Sequence, residues 1–287
     1  MPELPEVETV VRDLRAAGLE GRTIRRALLH WPGMIDGGDA ARFCRLVRGR
    51  RIRAIARRGK FIRFELSGGW TLLAHLRMTG QFELLPSREP RAPHERAALV
   101  LDDGRELRFR DTRKFGRWQL VRDAGARLAR LGPEPLAPDF SAGRLQAALR
   151  GRRGRLKPLL LNQAIVAGLG NIYADESLWV ARLHPARSAG NLSAAELRRL
   201  HAAMRTVLRR AVAARGTSLG NGQTNFRGLG ERRGGYQRLL RVYGRTGEPC
   251  RRCGTAVQRI VLAQRGTHFC PRCQILGRRA GCGRTVR

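Results

Sequence analysis

Apolar residues recur at helical spacing from the start of the chain. Leu4, Val7, Val11 and Leu14 share one face, with Val10 beside it, and predict an amphipathic helix over residues 2–17 that Gly18 can end. From about residue 22 to 122 the pattern switches to strands. Residues 61–66 and 70–73 flank Ser67-Gly68-Gly69, and residues 98–101 and 105–109 flank Asp102-Asp103-Gly104, so both stretches predict hairpins. Several short antiparallel strands of this kind make a sandwich or barrel. Residues 132–138 are rich in proline and predict a linker. Helical periodicity returns over 140–216: Ser193 and Glu196 form a capping box, followed by a stripe of Leu197, Leu200, Met204, Val207, Leu208 and Ala211, with Gly216 as the stop. Residues 217–236 are rich in Gly, Asn and Arg and have no period, as expected of a functional or disordered loop.

Charge narrows the class. The 287 residues carry a formal net charge of +34, which implies an anionic polymer, most simply nucleic acid, as partner. Of the 57 basic residues only Lys60, Lys114 and Lys157 are lysine. A coding bias towards arginine explains that, and lysines persisting under it can mark positions that need a compact ammonium. No apolar run is long enough for a membrane span and no signal peptide leads the chain, so the expected location is cytoplasmic. Four of six cysteines cluster near the C-terminus while Cys44 and Cys282 stand alone, which is not a disulfide framework.

Three patterns carry candidate chemistry. The spacing Cys250-x2-Cys253-x16-Cys270-x2-Cys273 fits a closed four-thiolate zinc site, structural rather than catalytic. A hairpin from 257 to 269 between the knuckles, with Arg265-Gly266 near its turn, could offer Arg265 to a phosphate, or leave it a solvated side chain. The second pattern is Met1-Pro2-Glu3. Removal of the initiator Met would leave Pro2 with a free secondary amine, which titrates about two units below a lysine and can attack an aldehyde-like carbon. Glu3 beside it is a possible proton donor; alternatively, Pro and Glu simply start a helix. The third is Gly168-Leu169-Gly170-Asn171, glycines ahead of a helix start, which suits a phosphate or merely a tight turn. Met78 and Phe115 lie in segments after strands and could wedge into a base stack, although on residue type alone core positions are favoured.

Taken together these segments resemble the bacterial formamidopyrimidine-DNA glycosylase (formamidopyrimidine/endonuclease VIII) family. The matching pieces are PELPEVET at the start, RRGKF at 57–61, HLRMTG at 75–80, DTRKFG at 111–116, LGPEPL at 131–136, LKP at 156–158, GLGNIYADE at 168–176, VYGRTGEPC at 242–250 and AQRGTHFC at 263–270. They occur in family order and cover about residues 1–275.

The resemblance implies an α+β multi-domain chain. It comprises an N-terminal helix plus antiparallel β-sandwich (1–131), the linker 132–138, a helix–two-turn–helix DNA-binding domain (139–240) with a lesion-capping loop at about 217–238, a zinc finger (241–275) and a basic tail (276–287). It implies a monomer acting on duplex DNA with an oxidised base or abasic site in the bacterial cytoplasm at the nucleoid, with one zinc ion as the only cofactor. The implied activity is a bifunctional DNA glycosylase/AP lyase that flips out oxidised purines. Pro2 would form the Schiff base and Glu3 donate the proton, with Glu6 supporting. Lys60 would bind phosphate and serve β-elimination, and Arg265 would do so for δ-elimination. Met78, Arg113 and Phe115 would fill the vacated space, Arg113 facing the orphaned cytosine. Asn171 would grip the kinked backbone and Lys114 would bind DNA, with His75 and Lys157 in DNA contact or support of the site. Two departures stand out: Thr112 replaces the usual proline, and the 217–238 region is longer than in relatives, with Asn225-Phe226 in place of an Asp-aromatic pair. The runner-up is an endonuclease VIII-like enzyme for oxidised pyrimidines. Leu4 between Glu3 and Pro5 disfavours it, and the retained Pro2 and Glu3 disfavour a non-catalytic nucleic-acid binder.

Overall fold

The structure is a computed structural model and describes residues 1–219 and 226–276. Asn225, Cys282 and the tail beyond Leu276 lie outside the described residues. By packing, the chain divides into two compact units: Met1–Glu134 with Leu208–Leu239, and Pro135–Val207 with residues from 240 onward. The division falls inside the proline-rich linker. Of the described residues after Val207, 208–219 and 226–239 group with the first unit.

The first unit opens with α1 (Leu4–Ala16), whose Leu4, Val7, Val10, Val11 and Leu14 are all buried. Truncating one of these leucines to alanine costs roughly 2–5 kcal/mol. Next come β1 (Ile24–Leu29), α2 (Ala40–Val47), β2 (Ile52–Arg58), β3 (Phe61–Leu66), β4 (Trp70–His75), β5 (Gln81–Pro86), β6 (Glu95–Leu101), β7 (Arg105–Arg110), β8 (Arg117–Val121) and α3 (Ala124–Leu128). The strand-only expectation for 22–122 missed α2. Asp39 starts it by accepting from the Arg42 backbone N–H at 2.7 Å, and Phe43 and Val47, one turn apart, are buried.

Two four-stranded antiparallel sheets form, in the orders β1-β6-β7-β5 and β2-β3-β4-β8. They share one core, with Ile62, Phe64 and Leu72 contributed by one sheet and Phe82, Leu99 and Phe109 by the other. Three connections cross between the sheets, the first of them the β1–β2 link through α2. The β4–β5 link passes from the second sheet to the first and the β7–β8 link returns. Because His75 pairs with Arg117 and Gln81 with Arg110, both of these later crossovers lie side by side at one end of the sandwich.

Residues 216–218 are stapled to residues 226–236. Gly216, at φ +80°, donates to the Ala211 carbonyl at 2.7 Å, and Tyr236 donates back to the Gly216 carbonyl at 3.0 Å. The Ser218 hydroxyl accepts from the Gly234 N–H at 2.9 Å and donates to the Phe226 carbonyl at 2.5 Å. Phe226 and Leu229 pack against the sandwich core, so Phe226 anchors this segment.

The second unit contains α4 (Ala142–Leu149), α5 (Leu156–Leu161), a run of turns, α6 (Asn171–Ala181), and the start of α7 (Ala194–Ala213). The capping box of α7 is formed: the Ser193 hydroxyl accepts from the Glu196 N–H at 3.2 Å, and the Glu196 carboxylate accepts from the Ser193 N–H at 2.8 Å. The unit ends with the hairpin of β9 (Gln258–Leu262) and β10 (Arg265–Phe269), which closes through Ala263 (φ 47°) and Gln264 (φ 59°), both left-handed as a two-residue turn requires.

Candidate active site and nucleic-acid interface

The N-terminal helix starts two residues later than the periodicity suggests. Glu3 is its N-cap and Pro5 occupies the first turn, so Pro2 lies ahead of the helix. The helix therefore does not need Pro2, and buried Pro2 is left without that structural explanation. Glu3 and Glu6 are both buried. Glu6 is a clamp: one carboxylate oxygen accepts from the Glu3 backbone N–H at 2.8 Å and the other from the Thr217 N–H at 2.7 Å. It thereby fixes the backbone on which Pro2 and Glu3 sit. Gly216 is required beside it, since a Cβ there would stand 2.7 Å from the Glu6 carboxylate.

Lys60 sits in the β2–β3 turn, mostly buried. His75 ends β4 with its ring edge-on to Phe61 at 4.8 Å, and its Nδ1 accepts from the Arg77 N–H at 3.0 Å. Burial pulls the His75 imidazole down to about 3, helped by the charges of Arg77 and Lys60. His75 is therefore neutral at physiological pH and carries its proton on Nε2, a donor for an anionic group.

The β4–β5 and β7–β8 crossovers carry the wedge candidates. Met78 is 37% and Phe115 44% exposed, which overturns the core reading for both. The Arg113 guanidinium lies over the Phe115 ring at 4.7 Å. Arg77 (φ 55°) and Lys114 (φ 59°) adopt left-handed backbone immediately before Met78 and Phe115. Each such non-glycine residue costs about 1–2 kcal/mol, strain that the surrounding structure must hold in place. Lys114 is exposed, its ammonium 6.0 Å from the Trp31 ring centroid. The loops are tied by Asp111, to which the sequence assigns no role. Its carboxylate accepts from the Thr79 hydroxyl, the Arg113 N–H (3.2 Å) and the Gly116 N–H (2.7 Å).

In the second unit, α5 and α6 hold the zinc hairpin through a row of polar side chains. Lys157 is fully buried, which fits support of the site rather than direct DNA contact. Its ammonium donates to the Gly266 carbonyl and the Thr267 hydroxyl, each at 2.9 Å, and pairs with Asp175 at 2.7 Å. Asn171, half-buried, donates through its side-chain amide to the same Gly266 carbonyl at 3.0 Å. Asp175 also accepts from the His268 backbone N–H at 2.9 Å. Glu176 accepts from the backbone N–H groups of Arg241, Val242 and Tyr243. Burial raises the Glu176 carboxyl, and these three donors oppose the rise. The result fixes Gly266 and leaves its neighbour Arg265 exposed at the start of β10. Asp111, Asp175 and Glu176 stood inside quoted motifs, but nothing in spacing distinguishes a buried acceptor of backbone N–H groups from a solvated acid.

The Sγ atoms of Cys250, Cys253, Cys270 and Cys273 all lie within 4.8 Å of one another. Individual separations of 3.4, 3.5 and 4.0 Å match the edge of about 3.8 Å expected for four sulfurs around a tetrahedral zinc. The donor set fits one structural zinc. Hydrogen bonds from Thr255 hold the Cys253 thiol down at about 6, while burial pushes Cys270 up to about 12. The Trp179 indole N–H points at Cys250 Sγ at 3.4 Å, and the Arg252 guanidinium stacks on its ring at 4.0 Å. Among the described residues no helix is long and apolar enough to cross a membrane.

Three family models match in order. They are the formamidopyrimidine-DNA glycosylase N-terminal domain over residues 1–118, the formamidopyrimidine-DNA glycosylase H2TH domain over 131–222, and the zinc finger found in FPG and IleRS over 247–275. The formamidopyrimidine-DNA glycosylase of Herpetosiphon aurantiacus is 47% identical over 276 residues, 96% of this chain and 100% of that protein. Among solved structures, the MutM (Fpg) protein of Thermus thermophilus superposes with a TM-score of 0.86 at 47% identity, covering 96% of this chain and 100% of that one. Lactococcus lactis Fpg in complex with DNA containing an abasic site gives 0.87 at 37% identity, over 95% and 99%. With this coverage and identity, the chain belongs to the formamidopyrimidine-DNA glycosylase family.

Proposed function

We propose that this chain is a DNA glycosylase of base excision repair that removes oxidised purines from duplex DNA and then, as an AP lyase, cleaves the strand. The observation that carries the reading is the N-terminus, where Pro2 is buried without a helical role, Glu3 follows it, and Glu6 fixes the backbone of both. Removal of Met1 makes the Pro2 nitrogen a secondary amine. Its lone pair attacks C1′ of the flipped sugar and the bond from C1′ to the base breaks; the nitrogen loses its proton, the C1′–O4′ bond opens to give the iminium, and Glu3 supplies the proton to the ring oxygen or the leaving base. The resulting iminium draws electrons from the C2′–H bond. Loss of that proton expels the 3′ phosphate by β-elimination, and a second, δ-elimination expels the 5′ phosphate. Hydrolysis of the sugar fragment from the amine restores Pro2. Lys60 and Arg265 bind phosphate for these two steps, Asn171 grips the strand, and neutral His75 donates from Nε2. Met78, Arg113 and Phe115 fill the stack, with Arg113 reading the orphaned cytosine. The substrate sets the place of action, the nucleoid of a bacterial cytoplasm. Borohydride reduction tests the mechanism: the Met-processed protein should be trapped covalently on duplex containing 8-oxoguanine, and absence of a trapped species during active turnover would exclude the iminium.

A further inference from the structure

The two wedge loops are separate in sequence but meet at one buried carboxylate. Asp111 is 1% exposed and Thr79 is also buried. Thr79 closes the crossover that carries Met78, whereas Arg113 and Gly116 belong to the crossover that carries Phe115. One oxygen of Asp111 accepts from the Thr79 hydroxyl and the Arg113 N–H, and the other accepts from the Gly116 N–H. The Arg113 N–H also lies 3.3 Å from the Thr79 hydroxyl, which bridges the loops directly. Asp111 is itself pinned: its N–H donates to the His94 carbonyl at 3.0 Å, and its carbonyl accepts from Arg96 Nε at 2.8 Å. Beneath the loops there is no slack. A Cβ on Gly80 or Gly116 would stand 2.6 Å from the Phe109 ring.

We propose that Asp111 is the positioning residue that joins the two crossovers into one rigid wedge, so that Met78, Arg113 and Phe115 enter the base stack together and Arg113 is aimed at the orphaned base. The proposal rests on the oxidised-purine reading above. It concerns the opposite-base readout of that reaction and adds no chemistry to it.

Asp111→Asn is the informative change because it keeps shape and volume. Whichever oxygen becomes an amide, a donor then faces a donor, so either the Thr79–Arg113 side or the Gly116 side is released. Thr79→Val cuts the bridge from the other loop, and Thr79→Ser keeps the hydroxyl. The assay uses duplexes with an oxidised purine opposite C or A and 2-aminopurine in the neighbouring pair. Insertion is read from fluorescence, and kcat and KM are read separately. Both disrupting variants should lose the insertion signal and about tenfold or more in kcat/KM. Their preference between opposite C and opposite A should collapse towards equality, and Thr79→Ser should restore both readouts. Should Asp111→Asn fail to fold, Thr79→Val decides alone. Wild-type protein that excises no oxidised purine would sink the functional reading. Active wild type, with folded variants that insert and discriminate as it does, would sink this one.

Discussion

Lys157 and Asp175 form a 2.7 Å ion pair in which neither side chain reaches solvent. This lysine ties α5 and α6 to the zinc hairpin, the supporting half of the expectation for it. Removing one partner of such a pair leaves a buried charge uncompensated, at about 3–5 kcal/mol. Lys157→Met should lose stability on that scale in urea unfolding, and Lys157→Arg should not rescue it, because a planar guanidinium does not fit three convergent acceptors. A Lys157→Met protein as stable as wild type would show the pair to be dispensable.

Glu3→Gln should slow base excision by roughly 10²- to 10⁴-fold, the usual worth of general acid catalysis. Cleavage of a preformed abasic site needs no leaving-base proton and should be largely retained. Equal loss on both substrates in parallel gel assays would contradict the acid role.

Gly216 supports the same site from the other end of the chain. Gly216→Ala combines a left-handed φ of +80° with a Cβ 2.7 Å from the Glu6 carboxylate. It should cost roughly 1–3 kcal/mol and displace the Glu6 clamp. Thermal melting and excision rate should fall together; an unaffected rate would detach Glu6 from catalysis.

His75 gives a pH dependence of known sign. Its folded pKa of about 3 lies below the ordinary value near 6.5. The unfolded chain therefore takes up a proton that the folded chain refuses. The stability tied to this site is complete above about pH 6.5 and is lost as pH falls towards 3, up to about 4–5 kcal/mol. Unfolding free energy measured from pH 7 to 4 should fall less steeply in His75→Gln. Identical slopes would mean that the ring ionises freely in the fold.

Stripping zinc should dissolve the four-sulfur cluster and free the β9–β10 hairpin from its staple. DNA affinity should drop sharply and recover on adding zinc back. Full affinity in protein shown to be metal-free would remove the hairpin from the interface.

Much of this was legible in the chain, for reasons that differ by element. The α1 stripe, the two hairpins and the Ser193 capping box are local, and local rules place them. The zinc site is legible because four thiols at fixed spacing have few other uses. Helix α2 was not, because a short helix between strands leaves only Asp39 and the Phe43–Val47 pair as signals. Nor was the grouping of residues 208–219 and 226–239 with the first unit, which is tied by Glu6 and Asp13 accepting from Thr217 and Arg215, far along the chain. Lys157 was open between DNA contact and site support for a similar reason. Its motif was visible, but burial depends on Asp175 and Thr267, which periodicity does not bring together.

The bond between Glu6 and Thr217 spans 211 residues. On a ribosome moving at roughly 5–20 residues per second, the segment that completes the N-terminal clamp emerges about ten to forty seconds after the N-terminus does. During that interval the first residues are still unclamped. The fold thereby sets a late step for the assembly of its own N-terminus: the backbone of Glu3 can be fixed only once Thr217 has been made.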